Sequence, residues 1–337
     1  MERQLRELYV EITNHCFQKC IHCSSCAIER GYPEISYDKL TDLIDQAIPL
    51  GLERFVISGG EPFLHPNFTK LLNYLWEQDI RMTVYSCGVI RDKDGSFISI
   101  PEEYFKQIKK YNGNIIFSLH AGTIETQYKI TGIHESFTLA CDSIRKAVSM
   151  GIPAEVHCVP MEVNFEELDT VLEKVSQLGV HKVSFLRYVP QGRGIITYLL
   201  SREHLHILRD KIVEWKVKFP EISIRMGTPF NCLTLSGSNC TAGYDKLMIS
   251  AAGEVFPCEA FKYMRGRRPT IYQKDIRDIW LRDPLLNRIR TIQLQNISVC
   301  KDCQYKDQCK AGCAGQRLHL NGDFEKGPDP LCSLINY

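Results

Sequence analysis

The sequence has no apolar run of the ~18 residues that a membrane-spanning helix needs, which excludes a helical membrane protein. Its first residues, Met-Glu-Arg-Gln-Leu-Arg-Glu, lack the apolar centre of a secretory signal, so the expected location is the cytoplasm. Net charge is also nearly absent. The 41 Lys and Arg against 40 Asp and Glu leave +1, which argues against steering toward nucleic acid or an anionic membrane. No tandem repeat or low-complexity tract is present, and 44% hydrophobic with 24% charged residues excludes disordered and fibrous classes. What the sequence has in excess is cysteine, at 15 residues. Without an export signal a disulfide framework is not expected, and metal is the remaining use for so many thiols.

The length of 337 residues fits two folded units, or one barrel with an appendage. Short β-branched or aromatic runs bounded by turn residues predict strands at 7–13, 53–58, 81–86, 114–119, 153–159 and 182–187. Amphipathic stretches near 36–50, 66–78, 101–111, 136–150, 164–178 and 201–217 alternate with them. Leu168, Val171, Leu172, Val175 and Leu178, for example, follow helical spacing. Six βα units in a row require a parallel sheet with right-handed crossovers, fewer than the eight of a closed barrel. The expected fold is therefore α/β, a partial (βα)6 TIM barrel followed by a small cysteine-rich domain. After about residue 220 the helical periodicity weakens, and eight of the fifteen cysteines fall between 232 and 332. The expected domains are 1–224 and 225–337. The second carries 16 Lys and Arg against 11 Asp and Glu, or +5.

Directly after the first strand comes Cys16-Phe-Gln-Lys-Cys20-Ile-His-Cys23. In a βα barrel this places three thiols at the C-terminal face, where active sites are built. Three thiolates can hold three corners of a cubane iron–sulfur cluster and leave one iron open to a chelating ligand. A zinc knuckle, simple buried thiols, or a site closed by Cys26 are the competing readings. The second strand ends in Ser58-Gly59-Gly60-Glu61-Pro62. Paired glycines let backbone approach a ligand, and Glu61 offers an acceptor for an ammonium group.

The later cysteines are Cys232, Cys240, Cys258, Cys300, Cys303, Cys309, Cys313 and Cys332. Residues 246–250 and 254–257 read as a hairpin around Ala252-Gly253 that brings Cys258 toward Cys240. The dense 300–313 run does not match a zinc ribbon built from two Cys-x2-Cys pairs, whereas two four-thiolate sites would use all eight.

The Cys-x3-Cys-x2-Cys loop and the Gly-Gly-Glu-Pro segment together resemble the radical SAM superfamily. The C-terminal spacing resembles the SPASM domain of its peptide-modifying members. The resemblance implies that Cys16, Cys20 and Cys23 hold a 4Fe–4S cluster whose open iron binds S-adenosylmethionine. It also implies that Gly59, Gly60, Glu61 and Pro62 meet the methionine amino group. By the same resemblance His22 packs near the adenine, Ser86 stands where relatives have Thr-Asn-Gly, and Ser118 contacts the ribose. Two auxiliary clusters follow, one on Cys232, Cys240, Cys258 and Cys313, the other on Cys300, Cys303, Cys309 and Cys332, giving three clusters in all. Cys232 lies outside the seven-cysteine pattern; without it the first auxiliary cluster keeps an open iron.

The activity this implies is hydrogen abstraction from a ribosomally made peptide. The products would be a thioether or carbon–carbon crosslink, an epimer or a related oxidation. An external electron donor of the flavodoxin or ferredoxin type is implied. With the first strand near residue 7, a leader-binding domain is not expected ahead of the barrel, so a separate recognition protein is a candidate partner. Oxidation of a small molecule, such as an amino sugar or cofactor precursor, is the alternative enzyme reading. A non-catalytic iron–sulfur or zinc scaffold closed by Cys26 is the third. Among residues outside the motifs, Cys87 is a candidate hydrogen donor or a buried hydrophobe, and Cys141 and Cys158 are expected in the core. Arg187 and Arg193 are candidates for a carboxylate of cofactor or substrate. The loop from Lys262 to Arg268 is expected in solvent, and His120, His157 and His181 are expected to be structural.

Overall fold

The apolar runs of the sequence become strands, and the amphipathic stretches between them become helices that cover their outer face. In the computed structural model, which describes residues 3–332, the strands are β1 (Glu7–Thr13), β2 (Arg54–Gly59), β3 (Arg81–Ser86), β4 (Val89–Arg91), β5 (Phe97–Ser99), β6 (Asn114–Ser118), β7 (Ala154–Cys158), β8 (Lys182–Phe185), β9 (Ser223–Met226), β10 (Lys246–Ile249) and β11 (Val255–Phe256). The helices of the barrel part are α1 (Tyr37–Ala47), α2 (Phe68–Glu77), α3 (Glu102–Lys110), α4 (Ile124–Thr131), α5 (Ser136–Ser149), α6 (Leu168–Gln177) and α7 (Arg202–Lys218). Ser36, Thr123 and Ser201 cap α1, α4 and α7 by accepting a backbone N–H of the first turn.

The main sheet runs β11-β10-β1-β2-β3-β6-β7-β8-β9. Every pair in it is parallel except β10 with β11. The six expected strands are all present and adjacent in sequence order, but the sheet extends past both ends of that set. β9 adds a seventh parallel strand beside β8. It escapes sequence reading because only one of its four residues, Ile224, is buried. At the other end, β10 lies parallel to β1, pairing Glu7 with Lys246 and Val10 with Ile249. Two further elements had no periodicity long enough to register, α4 and the three-residue strands of the β4–β5 hairpin.

One continuous apolar core follows from this arrangement. It joins Leu8, Val10 and Ile12 of β1 to Leu168, Val171, Leu172 and Val175 of α6. It then continues to Ile271, Ile276, Ile279 and Trp280. Each fully buried aliphatic side chain contributes about 1.5–3 kcal/mol. A second cluster, Met248, Phe256, Phe261, Leu285, Ile289 and Phe324, lies on the other side of the β10–β11 hairpin. Among the described residues no helix is long and apolar enough to cross a membrane.

A buried ion pair fastens the barrel to the last described residues. Arg187, just past β8, donates from Nη1 and Nη2 to Asp329 Oδ2 and Oδ1, both at 2.6 Å. Their side chains are only 2% and 1% exposed. Asp329 also accepts from the amides of Cys313 (2.7 Å) and Leu331 (2.9 Å). Burial alone raises the Asp329 carboxyl, but Arg187 and these amides outweigh it and hold the group below the usual carboxylate range. Removing one member strands the other charge in the interior. Asp329→Ala is therefore expected to lose about 3–5 kcal/mol of stability in urea denaturation, and the double change R187L/D329L to recover much of that loss.

Candidate functional site

The first cysteine loop is held in place by backbone on every side. Cys16 N donates to Ile28 O at 3.0 Å, and Lys19 N and Ile21 N donate to Thr131 O and Ile130 O, each at 2.9 Å. The paired glycines dock on its start. Gly60 N reaches Thr13 O at 2.8 Å and Glu61 N reaches His15 O at 2.7 Å. A Cβ at Gly59 would lie 2.1 Å from Thr13 O, and one at Gly60 would lie 2.1 Å from His15 O. No other residue type fits so close an approach. The loop and the glycines thus form one wall of a cavity of about 840 Å³ on the inner face of the sheet.

Cys16, Cys20, His22 and Cys23 line that cavity together with Gly59, Gly60, Ser86, Cys87 and Ser118. Burial, then the neighbouring Cys16 and Cys23, push the Cys20 thiol far above its ordinary value. Three thiols crowded in this way, Cys16 buried and Cys20 and Cys23 half-buried, suit a cationic iron core that takes them as thiolates. Cys26 is not among the lining residues. It adopts φ +47°, and its sulfur accepts a hydrogen bond from the Tyr263 hydroxyl at 3.2 Å. The arrangement therefore presents three thiols to the cavity and turns the fourth away.

Glu61 is placed differently from the ammonium acceptor expected of it. The side chain is buried at 1% exposure, and neither it nor Pro62 lines the cavity. Its carboxylate accepts from the Ser86 hydroxyl (3.0 Å to each oxygen) and the Cys87 amide (2.8 Å), tying the end of β2 to the end of β3. Ser86, in turn, spends its proton on this carboxylate. Ser118 is half-buried and makes no side-chain hydrogen bond. The His22 ring packs edge-on against His120 at 4.4 Å, and its Nδ1 is buried without a partner. Burial, reinforced by Arg193, lowers His22 to about 4, so the ring is neutral.

The two arginines after β8 are engaged with protein rather than free for a carboxylate. Arg187 is paired with Asp329, and Arg193 donates from Nε to Cys20 O (2.9 Å) and from Nη1 to Ala27 O (2.7 Å). The basic loop after the hairpin is likewise not simply solvated. Lys262 bonds Glu11 (2.6 Å) and Ser25 (2.7 Å), and Arg268 bonds Asp283 (3.0 Å). The Lys262 and Arg268 side chains are 7% and 8% exposed. Cys141 and Cys158 are core residues. His120 accepts from Val159 N, His157 meets Glu155 at 2.9 Å, and His181 is exposed.

The C-terminal cysteines fall into two neighbourhoods. Cys240, Cys258 and Cys313 line the same cavity as the first three. Burial, Glu259, then Cys240 and Cys313 push the Cys258 thiol up. Cys300, Cys309 and Cys332 cluster apart from it, the Cys309 thiol being pushed to about 11 by burial, Asp329, Cys332 and Cys300. Cys303 follows Cys300 in a turn, its amide on Cys300 O. Cys232 sits at the junction. It is buried, its charged neighbours are Asp329, Arg187, Cys309 and Cys332, and the Arg187 guanidinium lies 3.9 Å from its sulfur. Arg317 is a further test of fit. Its guanidinium is 2% exposed and donates only to the carbonyls of Ala311 and Phe324. Beyond Asp329, the groups facing it are the thiols of Cys313, Cys300 and Cys309. A buried cation needs counter-charge, and thiolates on iron would supply it.

Burial pushes the Glu61 carboxyl up to about 7, against the opposing hydrogen bonds of Cys87, Ser86 and Phe63. A folded-state value above the unfolded one means the native protein holds a proton that the unfolded chain releases. Stability falls as pH rises from about 4.5 to about 7, by roughly 3 kcal/mol in total. Glu61→Gln is expected to remove that slope, so its advantage over the unchanged apoprotein should grow across this window in urea denaturation.

Comparison with known proteins agrees with this architecture. Residues 10–175 match the radical SAM superfamily, and residues 240–304 match SPASM, an iron–sulfur cluster-binding domain. The PqqA peptide cyclase of Granulibacter bethesdensis is 23% identical, with 97% of this chain and 87% of that protein aligned. The subtilosin biosynthesis protein AlbA of Bacillus subtilis is 26% identical over 96% of this chain and 69% of that one. Streptococcus suis SuiB bound to S-adenosylmethionine superposes with a TM-score of 0.79 at 19% identity, covering 99% of this chain and 78% of that one. The chain is a member of the radical SAM superfamily that carries a SPASM domain behind its barrel.

Proposed function

We propose that this protein modifies a ribosomally made peptide by radical chemistry, forming a thioether or carbon–carbon crosslink, an epimer or a related oxidation product. The observation that carries the reading is the shared cavity. The three thiols of the first loop and the three thiols of Cys240, Cys258 and Cys313 open onto the same space. Two relatives point the same way, since one cyclises a peptide and the other takes part in making a bacteriocin.

Cys16, Cys20 and Cys23 would hold the first 4Fe–4S cluster. Bound there, S-adenosylmethionine and the cluster would supply the radical chemistry that removes a hydrogen atom from substrate. The backbone of Gly59 and Gly60 would receive the methionine end, while the neutral His22 ring and Ser118 line the space left for the nucleoside. Glu61 and Pro62 act from behind, Glu61 by fixing the β2 and β3 ends against each other. Cys240, Cys258 and Cys313 would hold one auxiliary cluster and Cys300, Cys303, Cys309 and Cys332 another, with Cys232 the eighth thiolate at their junction. Three clusters result, on a division at residues 1–224 and 225–337. The auxiliary pair would take up an electron or hold the peptide. An external flavodoxin- or ferredoxin-type protein would reduce the first cluster, and a separate protein would present the leader of the peptide.

Anaerobically reconstituted protein with a strong reductant and S-adenosylmethionine is expected to release 5′-deoxyadenosine. Ala at Cys16, Cys20 or Cys23 should bring that release to background, whereas Cys26→Ala should leave it in place because Tyr263 holds that thiol away from the cavity. Unchanged product from the three variants would overturn the reading.

A further inference from the structure

The segment after β8 meets the first cysteine loop at three points. Arg193 Nε donates to Cys20 O at 2.9 Å, Arg193 Nη1 to Ala27 O at 2.7 Å, and the Arg193 amide to Cys23 O at 3.1 Å. Gly192, at φ +63°, makes the approach possible, because a Cβ there would lie 2.4 Å from Cys23 O. The carbonyls of two of the three thiols facing the cavity are thereby tied to one arginine. The same guanidinium lines the cavity.

We propose that Arg193 is a positioning residue for the first cluster. Its guanidinium clamps the ligand loop from the β8 side, and its positive charge makes the cluster easier to reduce. This rests on the reading of Cys16, Cys20 and Cys23 as cluster ligands. Adding an electron makes a thiolate-held cluster more negative, and a fixed cation beside it stabilises the reduced form and raises the potential. The charge stands on the loop backbone rather than in solvent, so salt screens it weakly. Nothing in the sequence distinguishes this arginine from a surface residue, since its partners lie more than 160 positions away.

The test is an EPR redox titration of the holoprotein, following the signal that changes when S-adenosylmethionine is added, with iron content measured on the same samples. Arg193→Gln is expected to keep its iron and to move that midpoint to a more negative potential. Arg193→Lys, which keeps the charge but not the fork, should titrate near the unchanged protein and lose iron faster to a chelator. An unshifted midpoint in Arg193→Gln overturns the proposal. If Arg193→Gln cannot hold its iron, Arg193→Lys decides: iron retained at the original midpoint supports the proposal, and a shifted midpoint overturns it. An iron-loaded, unmodified protein with no signal responsive to S-adenosylmethionine would instead refute the cluster reading itself.

Discussion

The relative placement of all three cysteine groups depends on one seven-residue strap, residues 187–193. At its end Arg193 grips the carbonyls of the first loop. In its middle Gln191 donates to Glu259 O at 2.7 Å, next to Cys258, and Tyr188 O accepts from Gln316, three residues past Cys313. At its start Arg187 holds Asp329, which binds the Cys313 amide through its carboxylate and the Cys332 amide through its carbonyl. These contacts are directional and mostly buried, so displacing one end of the strap strains the others. The apolar core fixes the sheet, and the strap, with the Lys262–Ser25 and Tyr263–Cys26 contacts, ties the cysteine loops to one another.

Charge follows the same logic. Most of the cations after residue 225 are exposed, but a few are buried in the interior. Arg317 lies buried among Cys300, Cys309 and Cys313, and Lys246 lies beside Glu259, Glu7 and Cys258. Arg268 and Lys262 are sealed in pairs with Asp283 and Glu11. Desolvated cations are costly without nearby anions, and the carboxylates present do not cover all of them. Held as thiolates, the Cys300, Cys309 and Cys313 sulfurs around Arg317 would close that deficit, which is a physical reason for this segment to carry part of its charge inside.

Much of this architecture was legible in the sequence because it rests on local signals. Leu168, Val171, Leu172 and Val175 mark a helix by spacing alone, and Cys16 to Cys23 and Gly59-Gly60 carry their meaning within a few residues. Legibility failed where a side chain's partner is remote. Arg187 and Asp329 are 142 positions apart, and Arg193 and Cys20 are 173 apart. An arginine after a strand therefore looked available for a ligand. Glu61 looked like an acceptor facing the cavity for the same reason: the Ser86 and Cys87 groups that claim it arrive one βα unit later. β9 escaped because an edge strand with a single buried residue has no pattern to read.

The pairing of β10 with β1 has a consequence for how the chain is made. A ribosome delivers β1 first, yet the strand that covers its second edge is synthesised about 240 residues later. Until then the strand that leads into the first cysteine loop presents an open, apolar edge while the rest of the barrel assembles. Such late, non-local closure is slow and exposes the nascent chain to mispairing. Completion of the sheet beside the first cysteine loop thus comes late, and a chain cut at the barrel's end would keep that edge permanently bare.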